Sequence, residues 1–279
     1  MKLTLVGMFA LLMSGASLAQ TPVERGSYLV NSILTCANCH SPRKADGSID
    51  QTRQFSGGPQ TWDEPSFKVK GANITPDPET GIGKWSADDI KRALRLGVRP
   101  DGTQIAPIMP TGFYKIFTDA DVDAVVAYLR SVPAVHNAVT PPIYKAPMHS
   151  FTPPLAARAM RETALKDPLK RGFYLVTLGH CMECHTPKSN GHFDAKRLGT
   201  GGQNFAGPWG VSVSRNITSH RVAGLGAWSD AEIKRAITHG VRNDGTPLKP
   251  PMGFEMYANL SDPDLDAIVA YLRTVPAKQ

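Results

Sequence analysis

The sequence predicts an all-α protein built from two tandem domains with long loops, joined by a proline-rich linker. One pentapeptide containing cysteine and histidine occurs twice, 145 positions apart, and a longer pattern of helices and loops repeats around each copy. A chain of 279 residues is also long enough for about two domains. We therefore divide it into a leader, 1–19, a first domain, 20–132, a linker, 133–168, and a second domain, 169–279.

The repeated pentapeptides are Cys36-Ala37-Asn38-Cys39-His40 and Cys181-Met182-Glu183-Cys184-His185. Two cysteines three apart, with a histidine directly after the second, form the covalent attachment signature of a c-type haem. The thiols add to the two vinyl groups of the porphyrin, and the adjacent histidine presents a nitrogen to the iron. The sequence therefore predicts two covalently bound haem c groups, held by Cys36, Cys39, Cys181 and Cys184, with His40 and His185 as axial ligands.

Two other interpretations of a Cys-x-x-Cys pair need comparison. A zinc site needs further sulfur or nitrogen ligands at matching spacing, and the four motif cysteines are the only cysteines in the chain. A redox dithiol needs a thioredoxin-like strand and helix pattern, and it does not explain a histidine at the same place in both copies. Haem attachment accounts for the cysteines and the histidines together. With every cysteine committed to haem, none remains for a structural disulfide.

Each repeat begins with a short predicted helix ahead of the pentapeptide. The segments 25–30 and 171–176 share the pattern Arg-Gly-x-Tyr-Leu-Val. An isolated glycine weakens a helix by about 1 kcal/mol, so its recurrence favours a role in letting another helix approach closely. Glycine- and proline-rich stretches follow the pentapeptides, including 57–59 and 199–202, and we expect these loops to wrap the haem.

The second predicted helix of each repeat has a clear start and stop. Ser86 with Asp89, and Ser229 with Glu232, form capping boxes, in which the serine accepts from a first-turn N–H and the acid reaches back. A glycine suited to a left-handed cap ends each helix. The two glycines are Gly97 and Gly240.

A closing helix completes each repeat. Thr118 with Asp121, and Ser261 with Asp264, are expected to cap its start. Apolar residues follow at helical spacing, from Val122 to Leu129 in the first copy and from Leu265 to Leu272 in the second. We expect each closing helix to pack on the first helix of its own domain.

A methionine stands at the same place in a proline-rich loop of each repeat. Met109 and Met252 lie 143 positions apart, as do Gly97 and Gly240. A thioether is a soft ligand, and a histidine and methionine pair raises the haem reduction potential relative to two nitrogen ligands. The alternative is a core-filling role, since methionine adapts to irregular gaps. The stiff loop, the distance from the histidine and the shared repeat position favour Met109 and Met252 as the second axial ligands.

Competing ligands lack a counterpart in the other repeat. Met256 lies near Met252, but Phe113 stands at the matching position of the first copy. The remaining histidines are not in register, so we expect them at the surface or in loops. They are His136, His149, His180, His192, His220 and His239.

The first residues predict a secretory signal peptide. Leu3 to Ala19 are apolar or small, preceded by Lys2, and end in Ser17-Leu18-Ala19, which suits cleavage after Ala19. A retained anchor is the alternative, but the stretch is barely long enough to span a bilayer. No later run is apolar enough to cross a membrane. We therefore expect a periplasmic protein, soluble or peripheral to the inner membrane.

The formal charge of +7 is offset largely by the expected cofactor. Removing the leader takes away Lys2 and leaves 30 basic and 24 acidic residues, a balance of +6. Four haem propionates would reduce this to about +2 if all ionise. Arg99 and Arg242, with Trp85 and Trp228, are candidate donors to those propionates. No basic cluster is interleaved with stacking aromatics, so a nucleic-acid partner is not expected.

Four further segments carry a family resemblance: 73–77, 80–86, 109–110 and 126–130, with their second-copy counterparts. With them the chain resembles the cytochrome c subunits of periplasmic and membrane-associated alcohol, gluconate and aldehyde-type dehydrogenases. The resemblance implies two class I cytochrome c folds. It also implies electron transfer from a dehydrogenase catalytic subunit toward a quinone, another cytochrome or a terminal oxidase. Those subunits often carry three haem repeats, whereas this chain has two.

The ligand set favours electron transfer over catalysis. If both irons carry two protein ligands, neither has an open position for a substrate, and no repeated acid, base and nucleophile forms a separate active site. The alternative is a dihaem redox enzyme such as a cytochrome c peroxidase, which needs one iron able to open to peroxide. A thiosulfate dehydrogenase site with a cysteine ligand is excluded because all four cysteines are used.

Overall fold

The computed structural model describes residues 20–148, 153, 156–189, 192–207 and 209–279, so the predicted signal peptide lies outside the described residues. We call residues 20–132 the first half and residues 169–279 the second half. The helices of the described chain are α1 Pro22–Asn31, α2 Ala37–His40, α3 Ala87–Leu96, α4 Thr111–Tyr114, α5 Asp119–Ser131, α6 Pro168–Leu178, α7 Cys181–Cys184, α8 Asp230–His239, α9 Phe254–Tyr257 and α10 Asp262–Thr274. Its strands are β1 Thr61–Glu64, β2 Phe67–Lys70, β3 Ile143–Tyr144, β4 Lys188–Ser189, β5 His192–Phe193, β6 Asn204–Gly207 and β7 Gly210–Val213.

The first and last helices of each half pack against each other, as α1 on α5 and α6 on α10. A Cβ atom at Gly26 would overlap the carbonyl oxygen of Ala124 in α5. One at Gly172 would overlap the carbonyl oxygen of Ala267 in α10. The repeated glycine therefore lets the two helix backbones touch, which confirms the role predicted for it.

The middle helices α3 and α8 begin and end as the sequence predicts. Ser86 Oγ accepts from the Asp89 N–H at 3.0 Å, and Ser229 Oγ accepts from the Glu232 N–H at 3.3 Å. Both acids return a hydrogen bond to the serine N–H, so both capping boxes are complete. The C-terminal glycines have φ values of 66° and 64°, in the left-handed region.

The closing helices depart from the predicted caps. Thr118 Oγ1 accepts from the Asp121 N–H at 3.1 Å, as expected at the start of α5. Ser261 makes no side-chain cap at the start of α10, so the predicted capping box there is wrong. In both closing helices the acid faces an arginine of the first helix and not the N-cap backbone, Asp121 facing Arg25 and Asp264 facing Arg171, so neither completes a capping box.

Short strands accompany the helices, so the all-α prediction is incomplete. β1 pairs with β2 and β6 pairs with β7 in antiparallel hairpins, and the partners Thr61 with Lys70 recur 143 positions later as Asn204 with Val213. In the first half, β3 adds a third strand from the linker, pairing with β2. Four-residue strands inside a glycine- and proline-rich stretch carry too little alternation to be recognised from sequence.

The linker packs on the first half over part of its length. The Met160 N–H donates to the Ile116 carbonyl at 2.9 Å, and Ala156 is fully buried. Within its described part, the linker also contains a short 3₁₀ helix over Glu162–Lys166.

The two halves share one hydrophobic core. A single cluster of buried side chains includes Leu29 and Val125 from the first half and Leu175 and Ile268 from the second. Burial of this apolar surface favours contact between the halves. Among the described residues, none of the helices has the length and apolarity needed to span a bilayer.

Replacement of Gly172 by valine tests the close approach of α6 and α10. We expect the free energy of unfolding of the haem-loaded protein to fall by about 1–3 kcal/mol, because the side chain must displace the Ala267 backbone. Urea unfolding measures the change. Lys170→Ala, an exposed position on the same helix, is the control and should leave stability nearly unchanged. Equal stability of Gly172→Val and the parent protein would contradict the packing described here.

Candidate haem-binding site

Each pentapeptide begins after a residue in a left-handed backbone conformation. Thr35 has φ 47° and His180 has φ 41°, a region that non-glycine residues seldom adopt. This turn leads into the short helices α2 and α7. Cys39, Cys181 and Cys184 lie within these helices, and Cys36 is the N-cap of α2. Desolvation by burial raises the pKa of the Cys36 and Cys181 thiols to about 12. The matching backbone shows that the two halves build the same local structure at both motifs.

Both motif histidines are oriented by a backbone carbonyl. His40 Nδ1 donates to the Ala72 carbonyl at 2.8 Å, and His185 Nδ1 donates to the Arg215 carbonyl at 2.6 Å. This hydrogen bond places the proton on Nδ1 and leaves Nε2 with its lone pair free. Burial lowers the pKa of both imidazoles, although the carbonyl acts in the opposite direction. The neutral ring is the form that can ligate a metal ion.

The two in-register methionines stand in matching loops. Met109 and Met252 are both half-buried and both line the cavity that the histidines face. The Thr111 N–H donates to the Met109 carbonyl at 2.7 Å, and the Phe254 N–H donates to the Met252 carbonyl at 3.1 Å. These bonds fold each loop tightly against the short helix that follows it.

The competing methionine has a packing role. Met256 is only 7% exposed and belongs to the hydrophobic core, and Phe113, at the matching place of the first half, is buried as well. Met252 lies outside that core cluster. Both methionines line the cavity, but Met256 is packed in the core from helix α9, whereas Met252 is half-buried in the preceding loop.

One continuous cavity of about 1630 Å³ connects the two motifs. It exceeds the roughly 300–1,000 Å³ of an ordinary small-molecule pocket, so it has room for more than one large ligand. Apolar side chains from both halves form much of its wall, including Ile33 and Leu272. All the residues predicted to hold the two haems line it: Cys36, Cys39, His40, Met109, Cys181, Cys184, His185 and Met252.

The two motifs face each other across this cavity. Burial, followed by the nearby Glu183 and Cys184 of the second half, raises the pKa of the Cys39 thiol to about 11. Asn38 Nδ2 also donates to the Pro251 carbonyl at 3.2 Å, next to the second methionine. The first attachment motif therefore lies against the methionine loop of the second half.

Two buried donors in the second half fit the propionates of a haem. Within the described chain, the indole Nε1 of Trp209 and the Nε of Arg242 are buried without a hydrogen-bond partner, and both residues line the cavity. The Arg242 Nε has Asp244 no closer than 3.5 Å. A buried donor without a partner costs about 1–3 kcal/mol, which a carboxylate ligand would recover. The apolar wall, the two thiols and these donors together suit a haem.

The predicted propionate donors line the cavity, but not all of them are available. The Arg99 Nη1 donates to the Tyr144 hydroxyl at 2.8 Å and to the Gln104 carbonyl at 2.9 Å, so it is already engaged. Trp85 and Trp228 lie on the cavity wall. Trp209 was not predicted from sequence because Ser66 stands at its repeat position, 143 residues earlier, and gives no matching signal.

A charged pair beside the second motif was also not predicted. His180 Nδ1 lies 2.9 Å from the Glu183 carboxylate, and the His180 side chain is only 23% exposed. Burial lowers the pKa of His180, but the Cys184 and Glu183 side chains beside it outweigh burial and raise the pKa to about 10. Among the other non-motif histidines, His136 and His239 are exposed, while His149 and the side chain of His192 lie outside the described part.

The family profile for cytochrome c matches the chain twice, over residues 23–133 and again over 169–276. These two segments contain one attachment motif each, with its methionine loop. The chain belongs to the cytochrome c family, and it contains two cytochrome c domains. The resemblance drawn from the sequence motifs is confirmed.

Named relatives include subunits of dehydrogenases. The chain is 33% identical to the gluconate 2-dehydrogenase cytochrome c subunit of Pantoea cypripedii, covering 92% of this chain and 60% of that protein. It is 32% identical to the fructose dehydrogenase cytochrome subunit of Gluconobacter japonicus, covering 94% of this chain and 54% of that protein. A diheme cytochrome c-type protein of Cereibacter sphaeroides is 33% identical, covering 87% of this chain and 82% of its own length. The chain thus spans little more than half the length of these dehydrogenase subunits.

Replacement of Met252 by alanine tests the axial role of the thioether in the second half. We expect the haem-loaded variant to lose about half of the thioether-to-iron absorption and to show one haem of lowered reduction potential, because a nitrogen or water ligand replaces sulfur. Optical spectroscopy with redox titration measures both. Met256→Leu, which keeps the core volume, is the control and should resemble the parent protein. An unchanged spectrum in Met252→Ala, or loss of the band in Met256→Leu, would contradict the assignment.

Proposed function

We propose that this chain is a dihaem c-type cytochrome that transfers electrons from a periplasmic dehydrogenase toward a quinone, another cytochrome or a terminal oxidase. One observation carries the proposal: two attachment motifs, each with a carbonyl-anchored histidine and an in-register methionine, line a single cavity. Residues 20–132 and 169–279 would each hold one haem. The covalent attachment residues are Cys36, Cys39, Cys181 and Cys184, and the axial ligands are His40, Met109, His185 and Met252.

The residues of the chain define what the bound haems can do. A haem supplies reversible one-electron chemistry at its iron. The carbonyls of Ala72 and Arg215 hold the two imidazoles in the tautomer that presents Nε2. The methionine loops would supply sulfur as the second ligand of each iron. Two protein ligands at each iron leave no position for a substrate. The apolar wall keeps water from the cofactors and so favours a stable six-coordinate site.

The relatives support a dehydrogenase as the electron donor, since several are named as cytochrome subunits of gluconate, fructose and alcohol dehydrogenases. The charge distribution supports a directed encounter with such a partner. With division at Ser150, the first part of the mature chain has 14 basic and 13 acidic residues, and the second has 16 and 11. Their balances of +1 and +5 favour docking of an acidic partner at the second half.

The leader at 1–19 supports export, and covalent attachment of haem to such motifs takes place outside the bacterial cytoplasm in proteins resembling this one. We therefore place the protein in the periplasm, soluble or peripheral to the inner membrane. In this role it is an electron-transfer subunit and does not itself transform a substrate. A peroxidase-type activity would need one iron that opens to peroxide, and a methionine on the cavity wall in both halves argues against it.

Small external ligands test whether both irons are closed. We expect the dithionite-reduced, haem-loaded protein to bind no carbon monoxide and the oxidised protein to turn over no hydrogen peroxide, because both axial positions are filled. Difference spectra and a peroxidase assay measure these outcomes.

The matched control is Met109→Ala, in which carbon monoxide should bind to one haem per chain. Stoichiometric binding of carbon monoxide or steady peroxide turnover by the parent protein would contradict the proposed function and favour the dihaem enzyme.

A further inference from the structure

Each half contains the same ion pair between its first and last helices, in which the aspartate is buried and the arginine is partly exposed. Arg25 Nε and Nη2 donate to the two Asp121 carboxylate oxygens at 2.7 and 2.9 Å. In the second half, Arg171 Nε donates to Asp264 Oδ1 at 2.5 Å. The aspartates lie 143 positions apart, so both pairs occupy the same place in the repeat.

The second oxygen of each aspartate is reached by a tyrosine from the opposite half. The Tyr174 hydroxyl, on α6, donates to Asp121 Oδ2 at 2.7 Å. The Tyr28 hydroxyl, on α1, donates to Asp264 Oδ2 at 2.5 Å. Tyr28 and Tyr174 are themselves repeat counterparts, each following the arginine by three residues. The halves therefore exchange equivalent hydrogen bonds, as two subunits do across an isologous interface.

The aspartates that accept these hydrogen bonds between the halves are buried. The Asp121 and Asp264 side chains are only 7% and 2% exposed, and Tyr174 is 1% exposed. A buried carboxylate is stable only when its charge and its lone pairs are satisfied. The arginine of the same half satisfies part of that need, and the tyrosine hydroxyl satisfies the rest. Each aspartate is thus fully paired only while the halves are in contact.

Tyr28 also contributes to the start of the closing helix in the second half. Its hydroxyl accepts from the Ser261 N–H at 3.1 Å while it donates to Asp264. In the matching way, the Tyr174 hydroxyl accepts from the Thr118 N–H at 3.3 Å at the start of α5. The contact between the halves therefore also supplies a hydrogen-bond partner at the start of α10.

The same interface fixes the two attachment motifs relative to each other. Ile33, three residues before Cys36, packs against the backbone at Gly179, two residues before Cys181. The Phe113 ring, beside the first methionine loop, lies 6.4 Å from the His180 ring between centroids. A shift of one half against the other would break these contacts and divide the cavity.

We propose that Tyr28 and Tyr174 are positioning residues that hold the two haem sites in one fixed arrangement, so that electrons pass between them without domain motion. The proposal rests on the proposed electron-transfer function. Domains in one chain move relative to each other unless their interface is extensive or specific. Electron tunnelling slows steeply with distance. If the halves moved apart, electron transfer between the two haems would therefore depend on how fast the halves come back into contact.

The test uses the full-length, haem-loaded protein with both tyrosines replaced by phenylalanine, Tyr28→Phe with Tyr174→Phe. Photoreduction of one haem by a flash-excited ruthenium complex is followed by internal equilibration, measured at several glycerol concentrations. In the parent protein we expect a rate that does not change with viscosity. In the double variant we expect a rate at least about tenfold lower that falls as viscosity rises, because two buried carboxylates lose a partner.

The matched control replaces Tyr128 and Tyr271, which also occupy equivalent repeat positions. The Tyr128 hydroxyl accepts from Asn31 within the first half, and the Tyr271 ring packs on Phe173 within the second. We expect Tyr128→Phe with Tyr271→Phe to retain the parent rate and its independence of viscosity.

Haem spectra and reduction potentials of each variant separate this proposal from the proposed function. If the parent lacks two low-spin haems, the proposed function fails, whatever the tyrosines do. If the spectra and potentials are retained but the tyrosine double variant keeps the parent rate at every viscosity, the positioning role is overturned. A viscosity-dependent rate in the parent protein would overturn it as well, even if the double variant does not fold.

Discussion

The structure depends on a large apolar cavity that the side chains of the chain do not fill. Interiors of folded proteins are normally close-packed, and a space of about 1630 Å³ between largely apolar walls is what a chain leaves for large apolar ligands. In the proposed function, two haems would supply the missing core. The long loops, the glycines at close backbone contacts and the methionine loops would then form the walls around these cofactors. On this account, the folding of the chain, the retention of the cofactors and their redox chemistry all depend on filling this one cavity.

The second constraint is the pairing of two buried aspartates. Asp121 and Asp264 each take an arginine from their own half and a tyrosine from the other. The internal repeat therefore behaves like a symmetric dimer joined by a linker, with equivalent bonds on both sides of the interface. This arrangement brings the attachment motifs together and merges two crevices into one cavity. The proposed two-haem relay therefore rests on this geometry as well as on the number of motifs.

The parts of the fold that local chemistry determines were predictable from the sequence. The attachment motifs, the serine caps of α3 and α8, and the glycines at helix contacts all have signals within a few residues. The interface was not predictable because Tyr28 and Asp264 lie 236 positions apart, and Asp264 carried a stronger local signal as a helix cap. The hairpins were too short for a clear alternation, and Trp209 had no counterpart in the repeat.

The central claim is that each half holds one low-spin haem with histidine and methionine ligands. Redox titration of the purified protein, monitored by optical and electron paramagnetic resonance spectra, tests it most directly. We expect two one-electron steps per chain, low-spin iron throughout and thioether-to-iron absorption matching two methionine ligands. A high-spin iron, a single haem per chain or absorption matching one methionine would contradict the account.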